Sequence, residues 1–110
     1  MEIKKEKKDN TLTIYLIGRL DSTNAKDLED IVMDETDGIF NLIFDLAELK
    51  YTSSAGLRIF LKAQKIMLKQ GDMEVINACD DVYDIFEMTG FSDIINIKRV
   101  WKRRISLLKA

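Results

Sequence analysis

Between Thr11 and Ile17 apolar and polar side chains alternate, Leu12, Ile14 and Leu16 against Thr11, Thr13 and Tyr15. A period of two predicts a strand with one face on a core, and Ile17 is where the alternation breaks. Ahead of it Ile3 stands alone among lysines and glutamates, which predicts a solvated edge strand or a tail. Gly18 to Asn24 is a cluster of turn formers, after which Ala25, Leu28, Ile31 and Val32 follow at helical spacing. Asn24, with Asp27 three positions on, resembles a capping box in which Asp replaces Glu. The first helix is therefore predicted to start near Asn24 and fade by Thr36.

Asp37-Gly38 marks a turn. Ile39 to Leu46 is apolar almost throughout until Asp45, and Asn41 to Leu46 predicts a central strand covered on both faces. Apolar residues return at helical spacing from Arg58 to about Gln70, where Gly71 supplies a stop. Met73 to Ala78 predicts another buried strand. Asp80 to Thr89 predicts a helix carrying Val82, Ile85, Phe86 and Met88, closed by Gly90. Phe91 then packs, Ile94 to Ile97 predicts a last strand, and Trp101 to Leu108 a basic C-terminal helix. This order implies one α/β domain over residues 1–110. It has a mixed, mostly parallel sheet of about four to five strands, about four helices, and right-handed crossovers covering one face or both.

Composition narrows the function more than the fold. A chain of 110 residues, 46% hydrophobic and 33% charged, suits one modest core. Seventeen basic against nineteen acidic side chains leave a net charge of -2, which gives no bulk attraction to nucleic acid or an anionic membrane. The single cysteine, Cys79, cannot close an internal disulfide and reads as a small buried residue, and the methionines read as core filler. The absence of histidine removes the commonest metal ligand and the usual general base. Met1 to Asn10 is too charged for a secretory segment, and no apolar run approaches the ~20 residues that span a bilayer. A cytoplasmic protein with no membrane insertion and no direct nucleic-acid contact is the expectation.

The remaining chemistry lies in Tyr51-Thr52-Ser53-Ser54-Ala55-Gly56-Leu57, hydroxyl residues at a strand-to-helix turn. That place suits an N-cap, an anion site or a phosphate-modified residue. A serine nucleophile needs an adjacent base. Asp21, Asp45 and Lys50 are the available groups, and neither a Gly-x-Ser-x-Gly turn nor a phosphate-binding loop is present. The plain alternative is that Ser53 or Ser54 only caps the helix, worth about 1 kcal/mol. The helix that follows has two apolar stripes, Leu57, Phe60, Leu61 and Met67 beside Ile59, Ala63 and Ile66, where a surface helix needs one. The second faces another element of the domain or a partner. Asp80, Asp81 and Asp84 lack calcium-loop spacing and read as helix-start charges, and Lys102, Arg103 and Arg104 beside Trp101 as a solvated face.

Taken together, the Gly18-Arg19-Leu20-Asp21 turn, the Asp45-Leu46 strand end, the Ser53-Ser54-Ala55-Gly56-Leu57 turn and the order of elements resemble a STAS domain of the bacterial anti-sigma factor antagonist family. The resemblance covers nearly the whole chain. It implies a single STAS-like domain that is a binding module and not an enzyme, with no cofactor, metal or catalytic residue. In that family an anti-sigma factor that is itself a serine-protein kinase phosphorylates one serine at this turn, and a PP2C-type phosphatase removes the phosphate. The unphosphorylated module binds the kinase and frees the sigma factor. Alignment on Gly56-Leu57 makes Ser54 the implied phosphoacceptor, with Ser53 second. Ser53 stands where many members carry Asp, and Ala55 where they often carry Ser or Thr. The implied partner surface comprises Asp21, Ser22, Thr23 and Asn24 on one turn. On the other it comprises Thr52, Ser53, Ser54, Ala55, Gly56, Leu57, Arg58 and Ile59. Two rivals stand beside this reading: a constitutive STAS interaction subunit of a transporter or sensory complex, and an enzyme using Ser54 as nucleophile.

Overall fold

In a computed structural model, residues 1–99 are described; the predicted helix from Trp101 to Leu108 lies outside them. Five strands form one sheet in the order β1 (Glu2–Lys8), β2 (Thr11–Leu20), β3 (Asn41–Thr52), β4 (Asp72–Ala78) and β5 (Ile97–Arg99). β1 runs antiparallel to β2, and every other neighbouring pair is parallel. The crossovers carry α1 (Ala25–Glu35), α2 (Ser54–Met67) and α3 (Asp80–Met88).

Because β2 to β5 are neighbours in chain order, each crossover steps the same way across the sheet. A right-handed connection then puts its helix on the same face every time. The burial pattern follows: Leu12, Ile14 and Leu16 on β2, Leu42, Phe44 and Leu46 on β3, and Met73 and Val75 on β4 are buried with Leu28, Val32, Phe60, Ala63, Val82 and Phe86 of the helices. The intervening Thr13, Tyr15, Ile17, Ile43, Asp45, Glu74 and Ile76 are half-buried. The expectation that β3 is covered on both faces is therefore corrected. Its apolar run is long because Ile43 lies on the open face, while the helix layer covers only the alternate residues.

Other boundaries moved for local reasons. Ile3 belongs to a full edge strand paired from Glu2–Ile17 to Lys8–Thr11. β2 continues through the predicted turn to Leu20, because Gly18 takes φ +105° at the second of two register shifts in the pairing with β3, between Gly18 and Arg19. β3 extends from Leu46 to Thr52, and α2 begins at Ser54 rather than Arg58. The last strand is Ile97–Arg99 and not Ile94 to Ile97; Ile95 is buried at the end of a short helical turn (Phe91–Asp93), and Ile94 is exposed. Met67 and Met73 are core residues, but Met88 at 85% and Met33 at 52% are exposed, against the filler reading. Cys79 is half-buried, its thiol directed at the Leu49 carbonyl 3.6 Å away.

Both stripes of α2 are used inside the domain. The Phe60 ring meets Phe44 of β3 edge-on at 4.9 Å and Phe86 of α3 at 5.4 Å. Ile59 and Ala63 are buried, and Lys62 reaches Glu29 of α1 at 3.0 Å. Among the described residues, no helix is long and apolar enough to cross a membrane.

Candidate functional site

Parallel strands deliver their C-terminal ends to one rim of the sheet, and two turns meet there. Leu20, the last residue of β2, pairs with Thr52, the last of β3, and the Ser53 amide donates to the Leu20 carbonyl at 2.9 Å. The Asp21 to Asn24 turn and the serine turn are thereby fastened side by side. Arg19 pairs with Tyr51 across the strands and stacks its guanidinium 4.4 Å from the ring centre. This contact carried no sequence signal, since only the cross-strand register brings the two residues opposite each other.

Within the serine turn the two hydroxyls have different places. Ser53 has extended backbone angles and is the N-cap of α2; its hydroxyl accepts from the Gly56 amide at 3.4 Å, and its carbonyl from the Leu57 amide at 3.0 Å. Ser54 is the first helical residue and is exposed. Its hydroxyl stands at the positive end of the α2 dipole, where free backbone N–H groups tolerate an anion. Gly56 lets the helix start this close to β2: a Cβ there would lie 2.7 Å from Leu20 Cδ2 and closer still to the Thr52 hydroxyl.

On the neighbouring turn Asp21 Oδ1 accepts from both the hydroxyl and the amide of Thr23, the latter at 3.0 Å. The hydroxyl bond first, and the amide bond after it, hold the Asp21 carboxyl below its ordinary value. Asn24 does not form the predicted capping box. Its side chain is spent on the turn itself, accepting from the Asp21 amide at 2.9 Å and donating to the Arg19 carbonyl at 2.9 Å.

Of the residues assigned to a partner surface, Ser22, Thr23, Ser54 and Arg58 are exposed, and Asp21, Asn24, Ser53 and Ala55 half-buried. Thr52, Gly56, Leu57 and Ile59 are buried and shape the rim from beneath. Asp45, weighed as a base for the serines, is engaged elsewhere: its carboxylate accepts from Asn77 Nδ2 at 3.3 Å and from the Ala47 amide at 3.0 Å, on the open sheet face. Lys50 is exposed.

A family model for the STAS domain matches residues 2–102. The chain is 34% identical over 99 residues to the anti-sigma-B factor antagonist of Listeria monocytogenes, covering 87% of this chain and 86% of that one. Among solved structures, an anti-sigma factor antagonist from Mycobacterium paratuberculosis superposes with a TM-score of 0.81 at 17% identity, over 99% of this chain and 94% of the other. The antagonist SpoIIAA in its unphosphorylated form gives 0.76 at 17% identity, over 98% of this chain and 96% of the other. The phosphorylated form of Bacillus SpoIIAA gives 0.71 at 15%, over 97% and 99%. At these identities the structural likenesses speak for the fold alone.

Proposed function

Because the chain belongs to the STAS domain family, we propose that it is an anti-sigma factor antagonist switched by phosphorylation of Ser54. The observation that carries this reading is the division of labour at the serine turn. Ser53 is consumed as the cap of α2, while Ser54 presents an exposed hydroxyl at the helix start. The name of the Listeria relative supports the antagonist role.

In this reading the protein acts in the cytoplasm, and its partners are an anti-sigma factor that is also a serine-protein kinase and a PP2C-type phosphatase. The kinase supplies ATP and the phosphoryl chemistry; this chain supplies the acceptor oxygen. Phosphate on Ser54 adds about -1.5 to -2 charges at neutral pH. The N–H groups and dipole of α2 accommodate that charge, so the fold persists and the surface changes. Asp21, on the adjoining turn, adds a negative charge that its Thr23 bonds keep ionised. A kinase surface with acidic or apolar groups against Ser54 is then expelled, and the sigma factor is recaptured.

The test is incubation of the protein with its organism's anti-sigma factor kinase and ATP, with the phosphate located by mass spectrometry. One phosphate at Ser54, removed by a PP2C-type phosphatase, is expected, together with loss of kinase binding in Ser54→Asp. Kinase binding without phosphate, unchanged by Ser54→Asp, supports the constitutive interaction subunit instead. Absence of both binding and phosphate defeats the antagonist reading.

A further inference from the structure

At the rim away from Ser54, where β2, β3 and β4 begin, one strand starts ahead of its neighbour. β4 pairs with β3 from Asp72 onward but with β5 only from Val75, whose amide donates to the Asn96 carbonyl at 2.8 Å. Among the described residues no strand lies against Asp72, Met73 and Glu74 on the β5 side. These three residues line a groove of about 590 Å³, bounded by the end of α2 and by the segment that leads into β5. Its volume falls in the range of small-molecule sites, about 300–1,000 Å³.

The wall of the groove selects a ligand by its chemistry. Leu68 and Ile94 are large apolar side chains left exposed, and both line the groove with Met73. Asp72 and Glu74 bring carboxylates, and none of the described lining residues is basic. Lys98 reaches Glu74 at 3.2 Å, whereas no ion pair engages Asp72 among the described residues. Gln64, near the end of α2, lines the groove with its Oε1 buried and without a hydrogen-bond donor. A buried acceptor left unmet is costly, and a donor entering the groove relieves it once the amide turns about its soft terminal torsion.

These groups repel an anion, and a neutral apolar molecule desolvates Asp72 without giving it a partner. A bare metal ion gains nothing from Leu68 and Ile94, and no cluster of three or more metal-ligating side chains occurs among the described residues. A primary ammonium on an aliphatic chain meets every demand, since it carries a positive charge, three N–H donors and an apolar stem.

We propose that this groove binds a small aliphatic amine, its ammonium held by Asp72 with Glu74 and Gln64 Oε1, and its chain laid on Leu68, Met73 and Ile94. The site lies at the end of α2 opposite Ser54, so the inference stands whether or not Ser54 is phosphorylated.

The test is titration of the full chain with hexylamine, 1-hexanol and hexanoate, followed by amide NMR shifts and calorimetry. Hexylamine should saturate with a Kd on the order of 1 mM and shift the Leu68, Asp72 and Ile94 amides. Hexanol should bind about fivefold more weakly or worse, and hexanoate not at all. Asp72→Asn should weaken hexylamine by about fivefold, and Gln64→Leu by about threefold without lowering the melting temperature, because it removes the unmet acceptor. Asp84→Asn, an exposed acid on α3, is the control and should change nothing. Hexanoate binding as tightly as hexylamine overturns the proposal, and this comparison needs no variant. So does hexylamine that fails to saturate by about 10 mM, tenfold above the expected Kd. Shifts confined to other residues, or an affinity indifferent to both Asp72→Asn and Gln64→Leu, overturn it as well.

Discussion

Gly56 at the first turn of α2 rests against Leu20 at the end of β2, so close that a Cβ on Gly56 would lie 2.7 Å from Leu20 Cδ2. Leu20 is fully buried and its carbonyl receives the Ser53 amide, so neither side can withdraw without undoing the join between the two turns. Gly56→Ala should destabilise the domain by about 1–3 kcal/mol. Thermal unfolding measures the loss. Kinase binding, measured below the lowered midpoint, should weaken as well, because the same join sets the position of Ser54.

Ser53 and Ser54 should separate in mutagenesis. Ser53→Ala removes a cap and should cost about 0.5–2 kcal/mol, at the low end because the Ser53 hydroxyl bond to Gly56 is long at 3.4 Å. Ser53→Asp should recover that loss, since a carboxylate caps well and meets the helix dipole favourably. Ser54→Ala lies one residue past the cap and should leave the unfolding free energy within about 0.5 kcal/mol while abolishing phosphate incorporation. Urea unfolding of the three variants, with mass spectrometry after kinase treatment, distinguishes cap from acceptor.

The Asp21 carboxyl should titrate below an ordinary aspartate, and Thr23→Ala should raise its midpoint by removing the hydroxyl bond, the larger cause. The sign follows from a folded pKa lower than the unfolded one. The bonds stabilise the turn above the unfolded pKa, and that stability is lost as pH falls through the folded value. Carboxyl-detected NMR of Asp21 in the two proteins measures the difference, and an unmoved midpoint would assign the depression to another group.

Phe60 joins β3, α2 and α3 through its ring contacts with Phe44 and Phe86. Phe60→Ala should cost about 3–5 kcal/mol, a large share of the stability of a domain this size. Chemical denaturation checks it. Leu68→Ala, on an exposed side chain of the same segment, should change little.

Local pattern was enough for much of this molecule. Alternation placed β2, helical spacing placed α1, α2 and α3, and the run of Thr52, Ser53 and Ser54 pointed to the rim where β3 enters α2. It was weakest wherever a residue answers to a distant one. The capping-box spacing does not produce a cap because Asn24 binds Arg19 and Asp21 instead of a helix amide. The strand predicted over Asn41 to Leu46 runs on because β2 supplies pairing partners as far as Thr52, a contact between segments far apart in sequence.

What the sequence determined by itself was the order of strands and helices from β2 to β5 and the presence of hydroxyls at one strand-to-helix turn. Periodicity and turn chemistry act over a few residues and can be read without the rest of the chain. What only the tertiary structure decided was which side each half-apolar strand turns to a cover, that the Asp21 turn lies beside Ser54, and that Ser53 caps while Ser54 is presented. These depend on strand order and on the common hand of the crossovers, which put all three described helices on one face and left Ile43 and Ile76 on the other.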